Sequence, residues 1–345
     1  MSDSIMKIVH WNISKASHPI YGLRKYEDEL YRGIAAIIGN ESDLARVRRP
    51  EGEIRGNTVF SWPFYRNADA DLVHATAQTL APAIYFKRIN KFVVTVHDLA
   101  PMIYPSEMNN LSVRVQYLLT PRALKKADRI IADSRFTRDE LLRLTDLKVD
   151  RIEVVHLGVD HDLYRPMERS ICKERFGLNP EDKHVLVVSS NLEHKRMDLA
   201  KKLFGYIRSE RGDVKMIKAG YGEGLEGEGI ISVGWVPEED MPLLFNASDA
   251  YLHTSEYEGF GLPVLEAMSC GVPVIASNKA SIPEVVGDCG LLLDFDTLNY
   301  REIVGEISSL IDGGLDSAAL ERSRGFSWER TARDTFEIYK TLLEV

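Results

Sequence analysis

The chain has 345 residues, long for one domain and suited to two. Its 44% hydrophobic and 28% charged residues are those of a folded globular protein, and its net charge of −9 argues against a nucleic-acid partner, whose phosphates call for basic surface. Cys172, Cys270 and Cys289 are spaced neither as a metal knuckle nor as a disulfide framework, which points to a reducing, cytoplasmic compartment.

The opening MSDSIMKIVHWNI lacks a basic-then-apolar leader pattern and reads as a short tail entering a first strand at 7–13. Apolar runs at 70–75, 91–98, 129–134 and 151–158 read as further strands. Amphipathic stretches at 26–38 and 112–126 lie between them. The pattern restarts with strands at 184–190, 214–220, 229–235, 250–255 and 272–277, and with helices at 240–246 and 262–269. Strand–helix alternation of this kind predicts α/β units with parallel sheets. We therefore expect two Rossmann-like domains facing across a cleft, 1–162 and 163–326. The stretch 327–345 is expected to form one amphipathic helix that packs back on the first domain. Trp235 and Trp328 read as packing residues, and His74 and His156 as structural histidines at strand ends. No apolar run is long enough to span a bilayer. The mixed basic and apolar stretch RVQYLLTPRALKKADR, 114–129, leaves peripheral contact at the inner face of a membrane open.

The chemistry concentrates in EGFGLPVLE, Glu258 to Glu266. Glu258 follows a strand end, two glycines allow close backbone approach to a ligand, and Pro263 suits the first turn of a helix. A helix N-terminus there favours phosphate. The two carboxylates would instead accept from hydroxyls, and together these features match a nucleotide diphosphate-sugar.

The same region resembles the donor-site signature of retaining glycosyltransferases of family 4. The resemblance runs from SEYEGFGLPVLEAMSCGVPVIASNKASIPEVVGDCGLLLD (255–294) back through VGWVPEEDMPLLFNASDAYLHTS (233–255), SSNLEHKRMDL (189–199), VVHLGVD (154–160) and FVVTVHDLAPMIYP (92–105). It implies the two-domain GT-B architecture and transfer of a hexose from a nucleotide diphosphate-sugar. It further implies that Glu258 contacts sugar hydroxyls, that Phe260, Gly261 and Leu262 approach sugar and phosphate through their backbone, and that Glu266 binds the ribose. Lys195 would meet the diphosphate, Val236 the base, and His97 the sugar and reaction centre, with Asp98 beside it on the acceptor side.

Two departures stand out. Ser189 and Ser190 replace a Gly-Arg pair common in the family, so diphosphate neutralisation is expected to lean on Lys195, Arg196 or His194 instead, with Arg196 as a donor-binding residue. In YGLRKY, Gly22 stands alone and Arg24 occupies a position often held by glycine, so either the loop is wider than in relatives or Arg24 recognises an anionic acceptor. No histidine–carboxylate cluster has metal spacing, so no cofactor or metal is expected. The HDL segment leans the donor towards GDP-mannose, with a UDP-glucose-type donor as the alternative. The acceptor is read as a glycan or lipid-linked saccharide. A non-catalytic nucleotide-sugar sensor, an epimerase or a phosphorylase on the same fold are the competing readings.

Overall fold

Apolar runs such as KFVVTV and KHVLVV have no polar face to offer water, so they are stable only as strands covered on both sides. In the computed structural model, which describes residues 6–15, 22–39, 42–49, 58–66, 69–108, 111–222 and 224–344, they become central strands of two parallel sheets. The expected tail before Met6 lies outside the described residues. The chain divides into two compact units, Met1–Gly158 with Trp328–Val345, and Val159–Ser327.

The first unit holds β1 (Met6–Asn12), β2 (Ser42–Arg48), β3 (Leu72–Ala75), β4 (Lys91–Val96), β5 (Arg129–Ala132) and β6 (Ile152–Val154), in the order β2-β1-β3-β4-β5-β6. The order reverses between β1 and β3, and crevices at the carboxyl ends of strands open at such points. The helix Gly22–Ile38 buries Tyr26, Leu30, Ile34 and Ile38, one side chain per turn. Against it packs the helix Trp328–Leu343, which belongs to this unit. A Cβ added to Gly33 would sit 2.4 Å from the Ala332 Cβ, so the absence of a side chain sets how closely the two helices approach.

Beneath these helices lies a polar seam. The Tyr339 hydroxyl meets His74 Nδ1 and lies 3.1 Å from His10 Nε2. His74 Nε2 contacts the Thr95 hydroxyl at 2.7 Å, and Tyr26 contacts that hydroxyl at 2.8 Å. Burial, with Arg46 nearby, lowers His10 to a pKa of about 3, and burial likewise lowers His74, so both rings stay neutral.

The second unit holds β7 (Lys183–Val188), β8 (Val214–Ala219), β9 (Ile230–Gly234), β10 (Ala250–His253), β11 (Val274–Ser277) and β12 (Leu291–Leu293), in the order β12-β11-β10-β7-β8-β9. Here the order reverses between β7 and β10. The helix Leu262–Ser269 follows β10 and is entered through Gly261, whose φ of 104° is strained for any residue with a side chain.

Two strands lie outside the sequence reading. β2, SDLARVR, carries Arg46 and Arg48 and no apolar run, as an edge strand can. β12 is a three-residue edge inside what reads as a loop. Trp235 is corrected as well. It follows the edge strand β9 and is 43% exposed, whereas Trp328 is buried as expected. Among the described residues no helix is long and apolar enough to cross a membrane.

Candidate active site

The reversal between β7 and β10 places two loops side by side. Thr254, just past β10, donates its hydroxyl to the carbonyls of Lys195 and Arg196, both at 3.1 Å. The Glu256 amide donates to the His194 carbonyl at 2.7 Å. Ser281 closes the other side, its hydroxyl donating to the carbonyls of Glu258 (3.0 Å) and Phe260 (2.8 Å). These bonds stitch the 193–196 turn onto the 254–261 loop.

The product is a cation facing a carboxylate, with Lys195 Nζ 2.7 Å from Glu258 Oε1. The side chains are 19% and 15% exposed, so the pair is screened by protein but open to a ligand. Burial would raise the Glu258 pKa, but Lys195 and His253 outweigh it and hold the carboxyl well below the usual carboxylate range. His253 Nε2 lies 3.2 Å from the same Oε1, yet it is shielded from solvent and off the line of a hydrogen bond. Its Nδ1 lies 3.2 Å from the Tyr251 hydroxyl.

Gly261 and Leu262 stand at the N-terminus of the helix Leu262–Ser269. The amides of Val264 and Leu265 already donate to the Gly261 carbonyl, and Pro263 has none, which leaves those of Gly261 and Leu262 for an anion. Glu266 is buried one turn further on. Burial pushes up the hydroxyls of Tyr164 and Tyr251, reinforced at Tyr164 by the Glu266 and Glu238 carboxylates and at Tyr251 by those of Glu258 and Glu266. Val236 lies in the loop after β9, three strands from β10, or about 14 Å at strand spacing.

Arg196 is turned elsewhere. It adopts a left-handed backbone (φ 49°) and pairs with Glu256 (3.1 Å), Asp198 (3.5 Å) and Asp296 (3.8 Å). Lys279 meets the same Asp296. Of the basic triplet HKR, Lys195 alone faces Glu258.

In the first unit, His97 follows β4. Its Nε2 lies 2.8 Å from the Thr76 carbonyl, an obligate acceptor, and its Nδ1 lies 2.6 Å from Asp133 Oδ2. Both ring nitrogens therefore donate. Burial opposes the charge, but Asp133 outweighs it and raises His97 to a pKa of about 9. With Nε2 bonded to the Thr76 carbonyl and Nδ1 to Asp133, neither ring nitrogen is free for base catalysis. Asp98 Oδ1 accepts from the Ala100 amide at 3.1 Å, and its carbonyl accepts from Gln78. Gly22 opens the helix Gly22–Ile38, and Arg24 in its first turn lies 3.4 Å from Asp28. His253, Asp133, Thr254 and Ser281 escaped the sequence reading. The one signal was a polar residue at the end of an apolar strand, as in AYLHT and IIAD. Among the described residues no group of three or more His, Cys, Asp or Glu side chains is arranged to hold a metal ion.

Two parallel six-stranded sheets, each with its own helices, have the make-up of the GT-B fold. Solved structures share that fold. Sucrose-phosphate synthase from Thermosynechococcus elongatus matches with a TM-score of 0.78 at 18% identity, covering 98% of this chain and 99% of that one. HepE of Anabaena, in complex with UDP-glucose, matches at 0.74 and 20% identity, covering 97% and 100%. The Glycosyltransferase Family 4 model matches residues 24–163, and the Glycosyl transferases group 1 model matches 169–323. The O-antigen chain mannosyltransferase B of Escherichia coli is 33% identical over 280 residues, 74% of this chain and 71% of that protein. A D-inositol 3-phosphate glycosyltransferase of Mycobacteroides abscessus is 28% identical over 63% of this chain and 53% of its own length. The chain belongs to glycosyltransferase family 4, and it is an enzyme that transfers a sugar from a nucleotide-sugar donor.

Proposed function

We propose that the enzyme transfers mannose from GDP-mannose, with retention of configuration, to a hydroxyl of a glycan or lipid-linked saccharide on the cytoplasmic side of a membrane. The carrying observation is the Lys195–Glu258 pair at 2.7 Å. In this pair each group neutralises the other. A nucleotide-sugar satisfies both at once, because its diphosphate takes Lys195 and a sugar hydroxyl donates to Glu258. The Gly261 and Leu262 amides complete the phosphate cradle, Glu266 receives the ribose, and the loop at Val236 receives the base. The span of about three strand spacings from that loop to the pair suits a nucleoside diphosphate. This reading assigns neutralisation of the leaving group to Lys195 and backbone amides, with no metal.

Glu258 is committed to Lys195 and then to the sugar, so a front-face transfer fits better than a covalent intermediate. The acceptor oxygen bonds to the anomeric carbon as the bond to the diphosphate oxygen breaks, and that oxygen takes the acceptor proton. His97, an imidazolium, supplies positive charge rather than a base. Mannose is supported by two relatives, O-antigen chain mannosyltransferase B and a serotype-specific mannosyltransferase of Escherichia coli.

A membrane-bound acceptor is supported by the first unit's surface. Leu111 and Leu118 are 77% and 63% exposed beside Met102, Met108 and Val115, an apolar patch on the helix Leu111–Leu124. Residues 78–126 carry seven basic and two acidic side chains in a chain of net charge −9. Arg114 borders the patch, and apolar surface joined to basic charge suits an anionic bilayer surface.

Calorimetry with GDP, UDP and ADP, then with their sugars, tests the donor reading. GDP and GDP-mannose binding that weakens in Lys195→Ala and Glu266→Ala is the expected result. UDP alone binding would replace mannose with the alternative glucose-type donor, and no binding by any nucleotide would remove the assignment of this site.

A further inference from the structure

A second cluster of charge lies in the first unit, away from the groups discussed so far. Asp28, in the second turn of the helix Gly22–Ile38, lies 2.6 Å from the Arg46 guanidinium, in contact with that of Arg48, and 3.4 Å from Arg24 Nε. Among the described residues it is the one acid paired with these three arginines, so the cluster carries two positive charges in excess. The side chains are only 18–26% exposed, which limits screening by water and salt. Arg24 Nε and Arg48 Nη1 are shielded from solvent without a hydrogen-bond partner, the Arg24 contact with Asp28 being too poorly aligned to count. Arg46 is held from below by Tyr31, with its guanidinium carbon 4.3 Å from the ring centre.

The position adds to the argument. Arg46 and Arg48 occupy the last three residues of β2, and the register pairs them with His10 and Asn12 of β1. Arg24 lies in the first turn of the helix that follows β1. The cluster therefore stands at the carboxyl edge of the first sheet, where parallel α/β sheets take their ligands. Three guanidiniums crowding one carboxylate repel one another, and unused buried donors add to the cost. Both are relieved by an oxyanion, which planar guanidinium forks bind through paired hydrogen bonds.

We propose that Arg24, Arg46 and Arg48 form a phosphate-recognition site on the acceptor side of the enzyme, so that the acceptor carries a phosphate or diphosphate ester. This rests on the reading that the first unit receives the acceptor, and it deepens it by naming the acceptor's chemistry. The phosphate has two sources, a lipid phosphate or a soluble sugar phosphate.

Inorganic pyrophosphate is the probe, titrated calorimetrically into the wild type, Arg46→Gln/Arg48→Gln, Lys195→Ala and Asp28→Asn, each checked for folding by circular dichroism. The expected result is two binding events, one weakened at least tenfold in the double arginine variant and retained in Lys195→Ala, the other, at the donor site, retained in the double arginine variant and weakened in Lys195→Ala. Asp28→Asn, which removes the competing carboxylate, should tighten binding several-fold, whereas a merely structural cluster would show no gain. Binding lost only in Lys195→Ala would place pyrophosphate in the donor site, overturning this inference while leaving the donor assignment intact. Binding unchanged in every variant, or weakened in a folded Asp28→Asn, would overturn it too. Phosphatidylcholine vesicles with and without phosphatidic acid separate the sources. Competition by the phosphatidic acid vesicles, lost in the double variant, assigns the phosphate to a lipid. Pyrophosphate binding without such competition assigns it to a soluble ester.

Discussion

Glu27 in the first unit and Glu258 in the second both sit at a point where strand order reverses, and the two sheets use their carboxylates in opposite ways. Glu27 is fully buried and knits the ends of β1 and β3 together. It accepts from the Ile13 amide at 2.7 Å and the Thr76 hydroxyl at 2.9 Å, and burial raises its pKa. Its partners are all neutral groups of its own unit, so it is a fastener. Glu258 is partly open, is paired with the charged Lys195, and is held ionised. A ligand displaces an ion pair at the mouth of a crevice far more readily than a backbone bond beneath it. The environment of a carboxylate at a strand end, rather than its presence there, separates a binding group from a structural one.

The sharpest way to break this comparison is to remove the exchangeable pair. Lys195→Ala or Glu258→Gln should each lower transfer by roughly 10²–10³-fold, as loss of a preorganised electrostatic contact does. The double variant should fall short of the product, because the two groups form one unit. Initial rates on the donor identified by calorimetry measure both, and a Glu258→Gln enzyme of near-normal rate would sink the assignment.

If, as proposed, Lys195 turns to the diphosphate, a finer test concerns what then holds Glu258. His253 Nε2, 3.2 Å away and unbonded, is placed to take over. His253→Leu should weaken binding of the nucleotide-sugar by roughly tenfold, about 1.4 kcal/mol. Binding of the bare nucleotide diphosphate should stay the same, since it does not use Glu258. Equal losses for both ligands would mean that His253 serves only the fold.

The fastener side of the comparison predicts a change in stability. Tyr339→Phe removes the hydroxyl shared by His74 and His10 and leaves buried ring nitrogens without a partner. A loss of about 1–3 kcal/mol in urea unfolding is expected, with little change in nucleotide binding by the second unit.

The smallest expected effect is a slope. The folded His97 pKa of about 9 exceeds the unfolded value of about 6.5. Its contribution is therefore complete below pH 6.5 and is lost as pH rises towards 9. Asp133→Asn should flatten that alkaline decline in the unfolding midpoint, and an unchanged slope would show that His97 titrates normally.

Most of the sheet architecture was legible because its central strands are buried on both faces, and a run such as KFVVTV has no other stable fate. β2 was hidden because an edge strand needs no apolar run. The acids and bases fell into two groups. Glu258, Glu266 and Lys195 were visible through their spacing and family resemblance. The partners that give them meaning, His253 for Glu258 and Asp133 for His97, were not. Each pairing arises where strands distant in the chain become neighbours, and local periodicity carries no trace of strand order. The arginine cluster shows the same limit, since Arg24 stands out in the sequence by replacing a common glycine but Arg46 and Arg48 join it only once β2 lies beside β1.

The helix Trp328–Leu343 belongs to the first unit although the whole of Val159–Ser327 intervenes in the chain. A ribosome adding about 5–20 residues per second needs roughly 10–30 s to cross that interval. Throughout it, the nascent first unit has no Ala332 against Gly33 and no Tyr339 hydroxyl over its buried histidines. The second unit has all of its own residues before that helix emerges, so the order of synthesis and the order of completion are reversed. The unit made first is the last to close.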